Sequence, residues 1–226
     1  MKKNVIDFNK KREEILREKF VKEPMDYSET MALLHRGAVD EAIEEFRRLA
    51  ELRPDDASVF YNLAFALGEK GSVKEAITYY REAVRIDPRF NNARYNLALE
   101  LLTVNEFTEA ESEIKQLLHY SPLDADAHFE LGKIYERREL YDFAVYEYRQ
   151  VVKVDPYFSL INFYIANSCF RMKKYQEAAD AYNNELKVNP GFTDAHNMLR
   201  MVKKAIEKTS QRQKNKSHVS QDNEDN

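Results

Sequence analysis

Five of the six prolines stand one fixed step apart: Pro54, Pro88, Pro122, Pro156 and Pro190, each 34 residues from the next. The same step carries alanines at Ala42, Ala76, Ala110, Ala144 and Ala178. Four residues beyond these it carries large side chains at Phe46, Tyr80, Ile114, Tyr148 and Tyr182. A chain punctuated in this way is built from one repeated unit, and a period in this range marks a solenoid, propeller or array. The choice among them follows from turn-forming residues. With five Gly and six Pro in 226 residues, the chain cannot supply the many tight hairpins of a β architecture. It can supply helices joined by short loops.

Each copy holds two stretches with helical spacing of apolar residues. In the second copy, Phe60, Leu63, Ala64 and Leu67 are followed by the break Gly68-Glu69-Lys70-Gly71-Ser72. Ala76, Ile77, Tyr80, Ala83 and Val84 then resume the pattern. Asp87-Pro88 closes it, because proline disfavours helical geometry in the residue before it. The spacing predicts a helical hairpin per copy, helix A then helix B.

The arrangement resembles the tetratricopeptide repeat (TPR) family, a 34-residue helix–turn–helix unit. The Leu place of that pattern holds Leu63, Leu97, Leu131 and Ile165, and the small place holds Ala64, Ala98, Gly132 and Ala166. The resemblance implies an all-α fold: a right-handed α-solenoid of five tandem TPR hairpins with N- and C-terminal capping helices. The copies are 23–56, 57–90, 91–124, 125–158 and 159–192. Two departures stand out. The usual Trp of helix A is replaced by Asp26, Phe60, Arg94, His128 and Asn162. The first copy carries Glu29 and Thr30 where Leu and a small apolar residue are expected. The alanines sit where helix B must approach helix A, so a larger residue there would overpack the joint by ~1–3 kcal/mol.

Residues 193–208 carry Met198, Leu199, Val202 and Ile206 on one side and Arg200, Lys203, Lys204 and Lys208 on the other, the pattern of a capping helix, with Thr193 or Asp194 as N-cap. Residues 1–22 read as a charged N-terminal capping helix or a basic interaction arm. Residues 209–226, polar with a single Val, are expected to be a disordered tail.

Charge is uneven. The net −4 of the chain divides into a basic N-terminus, a basic C-terminus and an acidic centre. An acidic centre repels a phosphate backbone, so nucleic acid is a poor partner and RNA binding is the weakest reading. No apolar stretch is long enough for a membrane span. With no signal-peptide pattern and one cysteine, the default compartment is the cytoplasm.

No constellation points to catalysis. There is no phosphate-cradling Gly motif and no His-Glu-x-x-His pair, so no enzyme activity, cofactor or metal is expected. The histidines, His35, His119, His128, His196 and His218, read as surface or joint residues. Cys169 falls where Leu33, Leu67, Leu101 and Tyr135 fall in the other copies, and reads as a buried core residue.

The expected site is the concave groove that a solenoid's rotation per repeat creates. The resemblance places helix A along it, through its second, fifth, sixth, ninth and twelfth-to-thirteenth places. The fifth place is an aromatic row, Tyr27, Tyr61, Tyr95, Phe129 and Phe163, open to packing or ligand contact. The sixth holds Asn62 and Asn96, whose amides can both donate to and accept from a peptide backbone. The ninth and twelfth places are apolar in the first three copies (Met31, Leu34, Phe65, Leu99, Leu102). They turn mixed and basic afterwards: Lys133, Glu136 and Arg137, then Asn167, Phe170 and Arg171. Such a groove would suit a peptide with apolar side chains and an acidic or carboxylate end. The two-carboxylate clamp by which some family members hold heat-shock chaperone tails is not matched. Tyr27 and Met31, Asn62, then Asn92 and Asn96 satisfy only the middle position. The next register, Tyr61 and Phe65, Asn96, then Asp126 and Glu130, also fails. The leading expectation is a non-catalytic interaction scaffold or adaptor that binds a peptide or partner segment. The alternative is a structural or assembly protein that self-associates through its ends.

Overall fold

The computed structural model describes residues 26–222, with side chains through residue 211. The predicted N-terminal capping helix or arm at 1–22 lies outside the described residues. Eleven helices and no strand occur among those described. The chain divides into two compact units, the first ending at Tyr120 and the second beginning at Ser121. The first contains α1 (Tyr27–His35), α2 (Val39–Leu52), α3 (Ala57–Glu69), α4 (Val73–Ile86), α5 (Asn91–Thr103) and α6 (Phe107–Tyr120). The second contains α7 (Ala125–Arg137), α8 (Tyr141–Val154), α9 (Ile161–Arg171), α10 (Tyr175–Val188) and α11 (Thr193–Asp222). The helices α1 to α10 pair into five hairpins, the α-solenoid class of fold.

Local chemistry sets the helix ends. Arg53, Asp87, Asp155 and Asn189 each precede a repeating proline and have φ between −131° and −124°, outside the helical region, so helix B stops there. Asp26, Asp56 and Asp124 cap the next helix A: their carboxylates accept from Glu29 N, Ser58 N and Ala127 N at 2.8, 3.0 and 2.9 Å. The turn from helix A to helix B passes each time through one left-handed residue. These are Gly37, Gly71, Asn105, Glu139 and Lys173, all at the fifteenth place.

The repeated places form the core. Ala42, Ala76, Ala110, Ala144 and Ala178 are wholly buried, as are Phe46, Ile114, Tyr148 and Tyr182, with Tyr80 nearly so. Gly132 explains why its place must be small: a Cβ there would lie 2.3 Å from the buried Tyr148 ring. Thr30, in the irregular first copy, is buried and donates its hydroxyl to Asp26 O at 2.8 Å. A polar residue thus fills an apolar place without an unmet hydrogen bond. Cys169 is buried, and burial raises its thiol pKa.

Adjacent copies are tied on the outside by charge. Arg47, Arg81 and Arg149 on one helix B reach Glu75, Glu109 and Glu177 on the next, at 2.8, 2.7 and 3.2 Å. Exposed pairs like these set alignment more than stability. Inside, the place usually held by Trp serves a different purpose. Arg94 donates to Pro88 O at 3.0 Å and pairs with Glu113. His128 lies 2.7 Å from Glu147 and 3.1 Å from Pro122 O. A basic side chain at this place ties the end of the preceding helix B to its own hairpin, where the helix carbonyls favour positive charge.

The C-terminal tail departs from expectation. The helix that begins at Thr193 buries Ala195, Leu199 and Val202 and does not end at Lys208; it continues to Asp222. Thr193 already lies within it rather than serving as its cap. Residues 209–222 lack the apolar content to pack, which is why disorder was expected. They also contain no Gly or Pro, and Gln, Arg and Lys propagate a helix that a packed segment has already nucleated.

Candidate functional site

In the first unit, the helix-A side chains that were expected to face a ligand are drawn partly into the structure. Asn62 is buried; its Nδ2 donates to Tyr27 Oη at 2.6 Å and to Ser58 O at 2.7 Å. Asn96 repeats the arrangement one copy later, donating to Tyr61 Oη at 3.2 Å. The Tyr61 ring rests 4.9 Å from Phe90 and 5.8 Å from Tyr80. Phenol and amide therefore tie copy to copy, with the Asn62 NH2 group engaged inside the array. Tyr95 is half-buried in the same row.

What the first unit does expose is a small open cleft of about 160 Å³ lined by Phe65, Gly68, Glu69, Tyr80, Asn96, Leu99 and Glu100. Three of the expected residues, Phe65, Asn96 and Leu99, meet here. Phe65 stands out from the helix at 40% exposure, and Leu99 is half-buried. Gly68, Glu69, Tyr80 and Glu100 were not expected. For Gly68 and Glu100 the signal was present as two departures from the repeat. Gly68 stands where Leu34, Leu102, Glu136 and Phe170 stand, and Glu100 where Ala32, Ala66, Ile134 and Ser168 stand. Burial raises the Glu100 carboxyl pKa above the usual carboxylate value and drives the Tyr80 hydroxyl strongly upward.

In the second unit the expected residues are mostly committed. Phe129 sits between Phe158 and Tyr164, with centroids 5.0 Å away in both cases. Lys133 lies 5.3 Å over its ring and pairs with Glu130 at 2.9 Å. Phe163 packs on Phe192 at 4.9 Å, and Asn167 accepts the Tyr182 hydroxyl at 2.5 Å. Arg171 turns to Tyr141, with Nε 3.1 Å from the hydroxyl. Arg137 is exposed. Glu136 is half-buried and accepts from Tyr148 Oη and Ser168 Oγ at 3.1 and 3.4 Å. Burial raises its pKa, and these hydroxyls oppose the rise. Four rings of the fifth-place row, Tyr27, Tyr61, Phe129 and Phe163, thus pack on aromatic neighbours while staying half-buried.

A second surface was not anticipated. Phe143 and Tyr146 on α8 are 58% and 61% exposed. At the same two places the other copies carry Glu41, Glu75, Glu109 and Glu177, then Glu44, Thr78, Ser112 and Asp180.

Among the described residues no group of three or more His, Cys, Asp or Glu could hold a metal ion, and no helix is long and apolar enough to cross a membrane.

Helical hairpins on a 34-residue register, closed by proline and packed through Ala and aromatic joints, define a TPR array, and comparison with known proteins agrees. Family profiles described as tetratricopeptide repeat match residues 57–90 and 95–157, and one described as TPR repeat matches 32–71. The chain belongs to the tetratricopeptide repeat family. No curated protein matches the sequence. Among solved structures, it is similar to MamA from Desulfovibrio magneticus RS-1, with TM-score 0.67 and 20% identity over 74% of this chain and 94% of that one. It is similar to YrrB, described as a TPR protein with an unusual peptide-binding site, with TM-score 0.68 and 16% identity over 76% and 88%. It is also similar to a tetratricopeptide repeat protein from Parabacteroides merdae ATCC 43184, with TM-score 0.69 and 17% identity over 89% and 76%. At these identities the likeness is one of fold.

Proposed function

We propose that this chain is a non-catalytic interaction scaffold that holds a peptide or partner segment along the helix-A face of its first unit. One observation carries the reading. Most of the expected helix-A groups are satisfied internally, yet Phe65 and Leu99 flank an open cleft that no described side chain fills. The description of YrrB as peptide-binding, together with the shared fold, lends support. Display selection of peptides on the full chain tests it. Phe65→Asp with Leu99→Ser should abolish capture and leave the helical circular dichroism intact; capture that survives places the site elsewhere.

Self-association is the second reading, here through the exposed Phe143 and Tyr146 of α8 rather than through the ends of the chain. Sedimentation across a concentration series, with Phe143→Glu and Tyr146→Thr as the control, separates the two. A wild-type monomer throughout rejects it.

A further inference from the structure

We infer that the cleft between the second and third copies is a subsite for a cationic side chain, lysine or arginine, of the bound peptide; this rests on the helix-A face being the binding surface.

The cleft exists because of two complementary departures. Gly68 removes a side chain: a Cβ at that position would lie 2.7 Å from Glu100 Oε1. Glu100 adds a carboxylate where the other copies have Ala, Ile or Ser. One substitution opens the space and the other puts a negative charge at its edge.

That charge is unanswered. Glu100 is half-buried, and among the described residues its carboxylate receives no hydrogen bond and pairs with no cation. Three basic side chains of the same unit are engaged elsewhere: Lys70 with Asp40, Arg94 with Glu113, Arg81 with Glu109. Glu136 of the second unit shows the contrasting arrangement. It is also withdrawn from water, but Tyr148 and Ser168 donate to it. A partly desolvated carboxylate without a donor is costly, and a charge-assisted hydrogen bond offsets that cost most fully.

The walls suit the rest of such a side chain. Phe65 and Leu99 offer apolar surface to a methylene stem, as long basic side chains bury their stems while the charged head stays polar. A cation near the Phe65 ring also gains from its face. Glu69 lines the same cleft and adds a second negative charge.

The test uses the full chain and an array of nine-residue peptides in an Ala/Leu/Ser background, with Arg, Lys, Gln and Glu stepped through every position. Wild type should favour Arg or Lys over Gln at one position by about tenfold, the worth of one charge-assisted bond. Glu100→Gln should lose that preference while keeping the apolar ones. Gly68→Leu, which fills the cleft but keeps the carboxylate, should lose it too, with unchanged helical content. Capture without a basic preference, or a preference that survives both variants, overturns the subsite and leaves the helix-A face standing. No capture of any peptide overturns the face, and the subsite with it.

Discussion

Glu100 and Glu136 show how two similar carboxylates acquire different roles from their neighbours. Burial raises both pKa values, but hydroxyl donors reach only Glu136. For Glu100 the sign follows from linkage. A carboxyl with a raised folded pKa gives its full stabilisation below the unfolded value of about 4.3 and loses it as pH rises through the folded value. Glu100→Gln should therefore raise the thermal midpoint at pH 7 and leave it unchanged at pH 3.5. Calorimetry at the two pH values checks this. The pKa of His128 is raised for a different reason. The Glu147 carboxylate, helped by Pro122 O, raises its pKa against the opposing effect of burial. The charged bridge is complete below about pH 6.5 and is lost as pH rises through the elevated folded value. Wild type should lose thermal stability as pH rises from about 6.5 through that elevated value, and His128→Gln should flatten that slope. This level of detail was the least legible in the sequence. Asn62 on a helix A reads the same whether it faces a ligand or reaches a phenol in the copy before; the difference lies in how one copy is laid on another. The Gly68–Glu100 pair spans two copies at two different places, so no single-copy periodicity contains it.

The helical hairpin is the scale at which prediction and structure agree best, because its signals are local. Proline ends helix B, alanine admits helix A, and an aromatic fills the joint, each within a few residues. The fifteenth place adds a rule that composition hides. Gly37 and Gly71 hold the left-handed turn without strain, whereas Glu139 and Lys173 hold φ of 60° and 62° with a Cβ. Lys173→Gly should stabilise the chain by roughly 0.5–1 kcal/mol, the left-handed penalty less glycine's larger entropy loss. Gly71→Ala should do the reverse, and urea midpoints measure both. Gly132→Ala should cost about 1–3 kcal/mol, because the ring it meets is wholly buried and cannot swing aside. The tail helix was missed for a physical reason. Low apolar content argues against independent folding, but 209–222 continues a helix nucleated upstream and meets no breaker.

At the scale of the molecule, the 34-residue step is the most legible feature, since it links five copies in one register. Its energetic meaning lies in the pattern of contacts. Within each unit the packing runs mainly between helices consecutive in the chain, with α3 also touching α5. Stability in such an array is a sum of hairpin terms and nearest-neighbour terms, so regions near an end open at lower cost than the middle. The single cysteine turns this into something measurable. Cys169 is the only thiol in 226 residues, it lies wholly buried in α9 of the fifth copy, and a raised pKa keeps it protonated. A thiol reagent can reach it only when that hairpin opens. The labelling rate should rise under mildly destabilising urea well before the far-ultraviolet helical signal falls, and a rate that tracks global unfolding instead would show one cooperative block. The sulfur thus acts as a stopwatch installed at a single address, timing the fifth hairpin's excursions without any added probe.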